Sequence, residues 1–281
     1  MANLFIVVLS LILSLQSFVL ADPTTKPSVP VQLQAGTVMV SSENGYGTGV
    51  IVTRGDTSYV WTDGHVVEDA RYVIKFIDPK TGKRGKRYGF EDVYVIQDEK
   101  QGGNIIGSHR YAAKVIRYSG MRTGKDLALL EIRKKNAFSA NVLFAVEDTA
   151  PDIGTPIWHF GCFHGPQGRF SLSQGIISYV GREKDSKEYD QVTCTHFTGS
   201  SGGGVFDNQA RCLGLIDWTL GETYGLMTPV RVIREWAKKV GVEFAMDPTA
   251  IVPTDEQLHL YPVDDVFASH IEEGEEVAIP K

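Results

Sequence analysis

The chain has 281 residues, a net charge of −6 and 42% hydrophobic residues, enough apolar mass for a substantial core without disulfide or metal support. An acidic balance with no basic face interleaved with aromatics gives nucleic acid no footing. Its 29 glycines suit many short strands and tight turns better than a helical bundle.

Leu4 to Leu20 is apolar apart from Ser10, Ser14, Gln16 and Ser17, and it ends in Val19-Leu20-Ala21. That small-residue spacing predicts a signal peptide over 1–21, cut before Asp22, and an exported protein, secreted or periplasmic. Left uncleaved, the segment would be a short membrane anchor, the one expected route to a membrane. Residues 22–32 carry Pro23, Pro27 and Pro30 and read as a linker.

Short β-branched and aromatic runs follow, punctuated by Gly and Asp. Strands are expected at Val38–Val40, Gly49–Thr53, Ser58–Trp61, Tyr72–Phe76, Asp92–Ile96, Ala113–Tyr118 and Leu127–Ile132. A second series covers Pro156–Phe160, Phe170–Tyr179, Gly204–Phe206, Cys212–Trp218 and Tyr224–Met227. Two such sets without internal repeat predict an all-β fold of two six-stranded antiparallel barrels, over about 33–135 and 143–230. Within the first set, the basic cluster Lys80, Lys83, Arg84, Lys86 and Arg87 reads as a solvated loop.

Val230, Ile233, Trp236, Ala237 and Val240 form a stripe at helical spacing, with Pro229 at its entry and Gly241 at its end, so a C-terminal α-helix spans 230–240. Lys238 and Lys239 suit the negative end of its dipole. From Gly241 to Lys281 there are ten acidic residues and a single base, Lys281, which leaves the rest of the chain close to neutral. Residues 242–281 therefore read as a solvated acidic tail.

Cys162, Cys194 and Cys212 are an odd set for an exported chain, so at least one thiol stays outside any intramolecular bridge. Cys194 and Cys212 flank the segment described next, but small buried hydrophobes are the expectation. No two stand at a metal-ligand spacing, so no metal is expected, and no cofactor.

Peptide hydrolysis by serine needs a hydroxyl, a base to take its proton, a carboxylate to orient the base, and donors for the oxyanion. Thr198-Gly199-Ser200-Ser201-Gly202-Gly203-Gly204 offers Ser201, with a glycine two residues ahead that lets the backbone turn; Ser200 stands at the wrong offset from the glycines. His65 follows the apolar run Val60-Trp61, and Asp126 heads the apolar strand Leu127-Ala128-Leu129-Leu130, where its charge needs a partner. The order His, Asp, Ser is one of three known for this constellation, and it does not fit a carboxylesterase or lipase, in which Ser comes first.

These contexts resemble the trypsin-like serine peptidases, most closely the bacterial HtrA/Deg group. Gly45 to Val52 looks like the early G-x-G strand, Thr62 to Val67 like T-x-x-H-V-V, Asp126 to Leu130 like D-L-A-L-L, and Gly199 to Gly203 like G-x-S-G-G. The resemblance runs from about residue 35 to 241. It implies a catalytic triad of His65, Asp126 and Ser201, and an oxyanion hole from the N–H groups of Gly199 and Ser201. Thr195 and His196 would line the specificity pocket, Thr219 and Gly225 would wall it, and Asp217-Trp218-Thr219 would pair with substrate. No acid stands at the pocket base, which disfavours cleavage after Arg or Lys.

The chain departs from the family in four ways. Gly204 replaces the usual proline and Ser200 the usual Asp or Asn. Asp217 stands where relatives carry a neutral polar residue near the triad acid, and two carboxylates there must push one pKa up. The stretch after the helix is too short for the PDZ domain usual in the group. The expectation is a serine endopeptidase acting on proteins or peptides, with an inactive peptide-binding homologue as the alternative; oligomeric state is left open.

Overall fold

The computed structural model describes residues 27–77, 82–101, 104–146, 150–219, 221, 224–259, 261–265 and 270–271. The expected leader over 1–21 and the start of the linker lie outside them. The end of that linker is not extended: helix α1 (Val29–Gly36) forms there and buries Leu33. Pro30 falls in its first turn, where a missing N–H breaks no helical hydrogen bond.

Strands β1 (Thr37–Ser41), β2 (Tyr46–Arg54) and β3 (Thr57–Thr62) begin the first barrel. After β4 (Arg71–Ile77) and β5 (Arg84–Phe90), the strands β6 (Val93–Gln101), β7 (Asn104–Ser119) and β8 (Leu127–Ile132) complete it. The closed order is β1-β2-β3-β8-β7-β6, antiparallel throughout. β4, expected in this first unit, instead pairs with β5 in a separate sheet, Ile77 opposite Arg84. The basic stretch expected as a loop is therefore largely strand: Arg84, Lys86 and Arg87 are exposed while their backbone is paired.

β9 (Leu143–Phe144) leads to β10 (Pro156–Phe163), β11 (Gly168–Lys184), β12 (Lys187–Val192), β13 (Gly204–Phe206), β14 (Arg211–Thr219) and β15 (Gly225–Pro229). These run β13-β10-β11-β12-β15-β14, and a β13–β14 pairing closes the circuit into a second barrel, with β9 parallel to β14 outside it. β12 is too charged to read as a strand, yet it is central. Its buried Asp190 takes two bonds from Arg231 of the following helix, at 2.7 and 2.9 Å, so the charge is compensated inside the fold.

Helix α2 (Val230–Lys239) buries Val230, Ile233, Trp236 and Ala237, the expected stripe. Trp236 meets Trp61 of β3 edge-on with ring centroids 5.9 Å apart, and so joins the two lobes. The acidic segment beyond it is not all solvated. Phe244 is buried in the short 3-10 turn Glu243–Ala245, the Trp61 indole donates to the Ala245 carbonyl, and α3 (Asp255–His259) follows. Farther on, β16 (His270–Ile271) pairs with β5.

β2 and β8 carry unbroken apolar runs because both their faces are covered. Ile51, Ala128 and Leu130 point into the first barrel, while Val50, Val52, Leu127 and Leu129 join the core that spans to the second barrel and α2. All three cysteines are free thiols, fully buried. Burial raises them, Cys194 and Cys212 to about 12.

Candidate active site

β3 ends at Thr62, and Asp63 turns the chain into the short 3-10 turn Gly64–Val66 that carries His65. Across the barrel Asp126 stands just before β8 with φ +57°, a left-handed conformation that Asp tolerates better than most residues. That unusual backbone aims its carboxyl at the turn. Oδ2 lies 2.8 Å from His65 Nδ1, and Oδ1 accepts the His65 backbone N–H at 2.7 Å. One acid thus holds His65 at two points, ring and backbone. The acid is fully buried, while the His65 side chain remains 27% exposed.

Ser201 comes from the other lobe, on the loop before β13. The Thr48 N–H of β2 donates to the Ser201 carbonyl at 2.8 Å, and the Thr48 hydroxyl donates to the Gly199 carbonyl at 2.7 Å. Gly202, at φ +79°, packs so tightly that a Cβ there would lie 2.2 Å from Thr62 Oγ1. These contacts set the Ser201 backbone beside the turn of His65. Among the described residues no hydrogen bond links the Ser201 hydroxyl to the His65 ring, whose bond is the one from Nδ1 to Asp126. Ser200 is fully buried, and its hydroxyl accepts the Phe197 N–H at 3.1 Å, turned into the loop.

Two peptide units of this loop are pinned by their carbonyls. Thr198 C=O accepts the His164 N–H, and Ser200 C=O accepts the Gly203 N–H, both at 2.8 Å. A trans peptide directs its N–H opposite to its C=O. The N–H groups of Gly199 (φ +96°) and Ser201 therefore face away from those partners, and among the described residues neither donates to a protein acceptor. The His164 ring also stacks on Phe197 at 4.8 Å. Sequence reading missed Thr48 and His164, since a lone Thr in a strand and a His in a turn carry no signal.

The pocket residues are less open than expected. His196 is fully buried, its Nδ1 2.6 Å from the Cys194 carbonyl, and its ring lies against Gly225, where a Cβ would come within 2.4 Å. Ser173 donates to the Thr195 carbonyl at 2.7 Å. Thr219 is exposed and pairs with Gly225, and the half-buried Trp218 carries Lys184 Nζ 3.5 Å from its ring centroid.

Asp217 departs most from a substrate-facing role. Its side chain is buried, its Oδ2 accepts the Thr228 hydroxyl at 3.1 Å, its Oδ1 has no hydrogen-bond partner, and the Asp126 carboxyl is close enough to act on its charge. Asp63 is a third acid there that sequence reading passed over. Burial and the charges of Asp217 and Asp126 hold Asp63 well above the usual carboxylate range, and burial with Asp126 lifts Asp217 to about 7. Asp126 itself goes down: burial opposes this, but the His65 hydrogen bond and charge outweigh it. Burial likewise works against charge on His65, yet the bond to Asp126 and the charges of Asp126 and Asp217 leave its pKa raised. Asp63, His65 and Asp217 bring ligand-type atoms within 4.8 Å of one another, but the ring there is already committed to Asp126.

A family model described as trypsin-like peptidase domain matches residues 47–215, well over half of the chain. The chain belongs to the trypsin-like peptidase family. Its fold is shared with solved structures at low identity. An inactive form of Rv3671c from M. tuberculosis is 18% identical, with 80% of this chain and 93% of that one covered at a TM-score of 0.54. The serine endoprotease from Yersinia pestis is 20% identical over 80% of this chain and 69% of its own, with a TM-score of 0.54. A variant of the HtrA-type protease AlgW with a tripeptide is 17% identical over 78% of this chain and 64% of its own, at 0.55. No curated protein matches the sequence.

Proposed function

We propose that this trypsin-like peptidase is an active serine endopeptidase with His65, Asp126 and Ser201 as its triad. The observation that carries the reading is the two-point hold of Asp126 on His65. A neutral imidazole whose Nδ1–H is fixed on a carboxylate presents an unprotonated Nε2, the tautomer a general base needs. Ser201 attacks the scissile carbonyl as Nε2 takes its proton, the same proton passes to the leaving amine, and water then resolves the acyl-enzyme. The unpaired N–H groups of Gly199 and Ser201 are the donors for the developing oxyanion, where each is worth roughly 3–4 kcal/mol. The bond from the Ser201 hydroxyl to Nε2 is one that tightens as substrate binds.

Substrates are proteins or peptides taken as an extended strand. The last β14 partner of β13 is Leu215, opposite Gly204, so the edge of Asp217–Thr219 beyond it is left to an incoming chain. Thr195, His196 and Gly225 line the pocket in this reading, with the His196 ring packed against Gly225. Export by the N-terminal leader belongs to the same reading.

A fluorophosphonate probe tests the assignment: it labels the wild-type protein, and Ser201→Ala abolishes both labelling and casein hydrolysis. Labelling that survives Ser201→Ala, or a wild type that binds peptides without cleaving them, leaves the inactive-homologue reading in its place.

A further inference from the structure

Three carboxyl groups converge under His65, and the described donors do not satisfy them. Asp126 spends both oxygens on His65. Asp217 Oδ1 and both oxygens of Asp63 are buried without a hydrogen-bond partner. The other groups facing Asp217 are Thr228 of β15, already donating to Oδ2, and Tyr189 and Lys187 of β12. Lys187 gives its ammonium to the Met121 carbonyl. An orphan carboxyl oxygen opposite another carboxylate is satisfied when one of the two carries a hydrogen, and three ionised carboxylates sharing a dry site would repel strongly.

We propose that Asp217 is a positioning residue that acts only in its protonated form, donating a hydrogen bond from its carboxyl O–H to Asp126 and so steadying the acid that holds His65. This rests on the triad reading above. Protonated, Asp217 does the work of a hydroxyl donor. Ionised, it turns from donor into a second anion against Asp126 and draws a proton onto His65, which removes the base. Catalysis is thereby bounded on both sides, below by protonation of His65 and above by ionisation of Asp217. The raised Asp217 pKa, near 7, agrees with that placement.

The test is the pH dependence of kcat/KM on a peptide substrate between pH 5 and 9, together with fluorophosphonate labelling rates. Wild type, Asp217→Asn, Asp217→Ser and Asp217→Ala are compared, with near-ultraviolet circular dichroism to check the fold. The wild type loses activity above neutrality. Asn and Ser still donate but cannot ionise near neutrality, so, whatever their rate at pH 6.5, they carry the plateau at least about one pH unit higher. Ala also loses the alkaline limb, but runs about tenfold slower throughout for want of a donor. The His65 ring titration, followed by NMR in wild type and in whichever variant folds, has its midpoint lowered once the Asp217 charge is gone.

An alkaline limb that stays put in Asn and Ser, a wild-type rate flat to pH 9, or inhibition that a chelator relieves overturns the inference. Ser201-dependent labelling with an unmoved limb defeats this inference alone. No labelling at any pH removes the triad reading and this one with it.

Discussion

The Thr48 hydroxyl donates to the Gly199 carbonyl at 2.7 Å while accepting the Cys162 N–H at 2.9 Å, so one side chain of the first barrel fixes the loop of the second that bears Ser201. Both bonds are fully buried. Thr48→Val keeps the shape and removes the hydroxyl, leaving a carbonyl and an N–H without partners. The loop is then free to shift by a fraction of an ångström. The expected outcome is a fall in kcat of up to about 100-fold with a small change in KM and an intact fold, read by steady-state kinetics and circular dichroism. Wild-type kcat in Thr48→Val would show that the loop is held elsewhere.

Asp126→Asn separates orientation from backbone strain. Asparagine accepts the left-handed conformation that Asp126 adopts, so the protein should fold. Its amide donates to Nδ1 in place of accepting, which puts the ring proton on Nε2, where the base should be empty. The expected loss is about 10⁴-fold in kcat at neutral pH with ordinary substrate binding. Labelling of Ser201 by a fluorophosphonate slows in parallel.

Most of the barrel strands were legible because their apolar runs are covered on both faces, as in Leu127 to Leu130. β12 was not: its Lys187 and Asp190 are buried and bonded across the fold, so their charge reads as surface. The first half of the acidic tail misled for a related reason, since a few residues, Phe244 and Leu258 among them, dock a segment that is mostly polar. At the site, His65, Asp126 and Ser201 stood out by local pattern. Thr48, His164 and Asp63 act through contacts between distant segments, and only the closed barrels bring those together.

The buried acids tie stability to pH. Asp217 and Asp63 are raised above their ordinary value of 3.8, so the stability of their neutral forms is complete below that value and is lost as pH climbs through about 7 and beyond. His65, raised above 6.5, loses its contribution in the same direction. Asp126 is lowered, so its contribution persists across the range. The melting temperature should drop by several degrees, roughly 2–4 °C per kcal/mol, from pH 5.5 to pH 8.5. Asp63→Asn takes one raised group out, and its curve should be flatter. Equal slopes for the two proteins would mean that Asp63 is already ionised in the fold across this range.

The C-terminal segment reaches Asp126 through a chain of hydrogen bonds. Asp265 Oδ2 accepts the Trp236 indole at 2.8 Å and the Ser119 hydroxyl at 3.0 Å, and that hydroxyl in turn accepts the Lys125 N–H at 2.6 Å, one residue before Asp126. The backbone is tied as well: Tyr118 N–H donates to the Val263 carbonyl at 2.7 Å, and Asp265 N–H returns to Tyr118 at 3.0 Å. Asp265→Ala strands a buried indole N–H and frees Ser119 to rotate. The expected cost is about 2 kcal/mol by urea denaturation, because hydrogen bonds to a charged group exceed neutral ones. Activity should fall with it, since the strained turn at Asp126 loses an anchor. Trp236→Phe removes one of the two side-chain bonds and leaves Ser119 in place, so it should share the stability loss but keep kcat. If both variants slow the reaction equally, the Ser119 link to Asp126 has no separate role and the segment acts by packing alone.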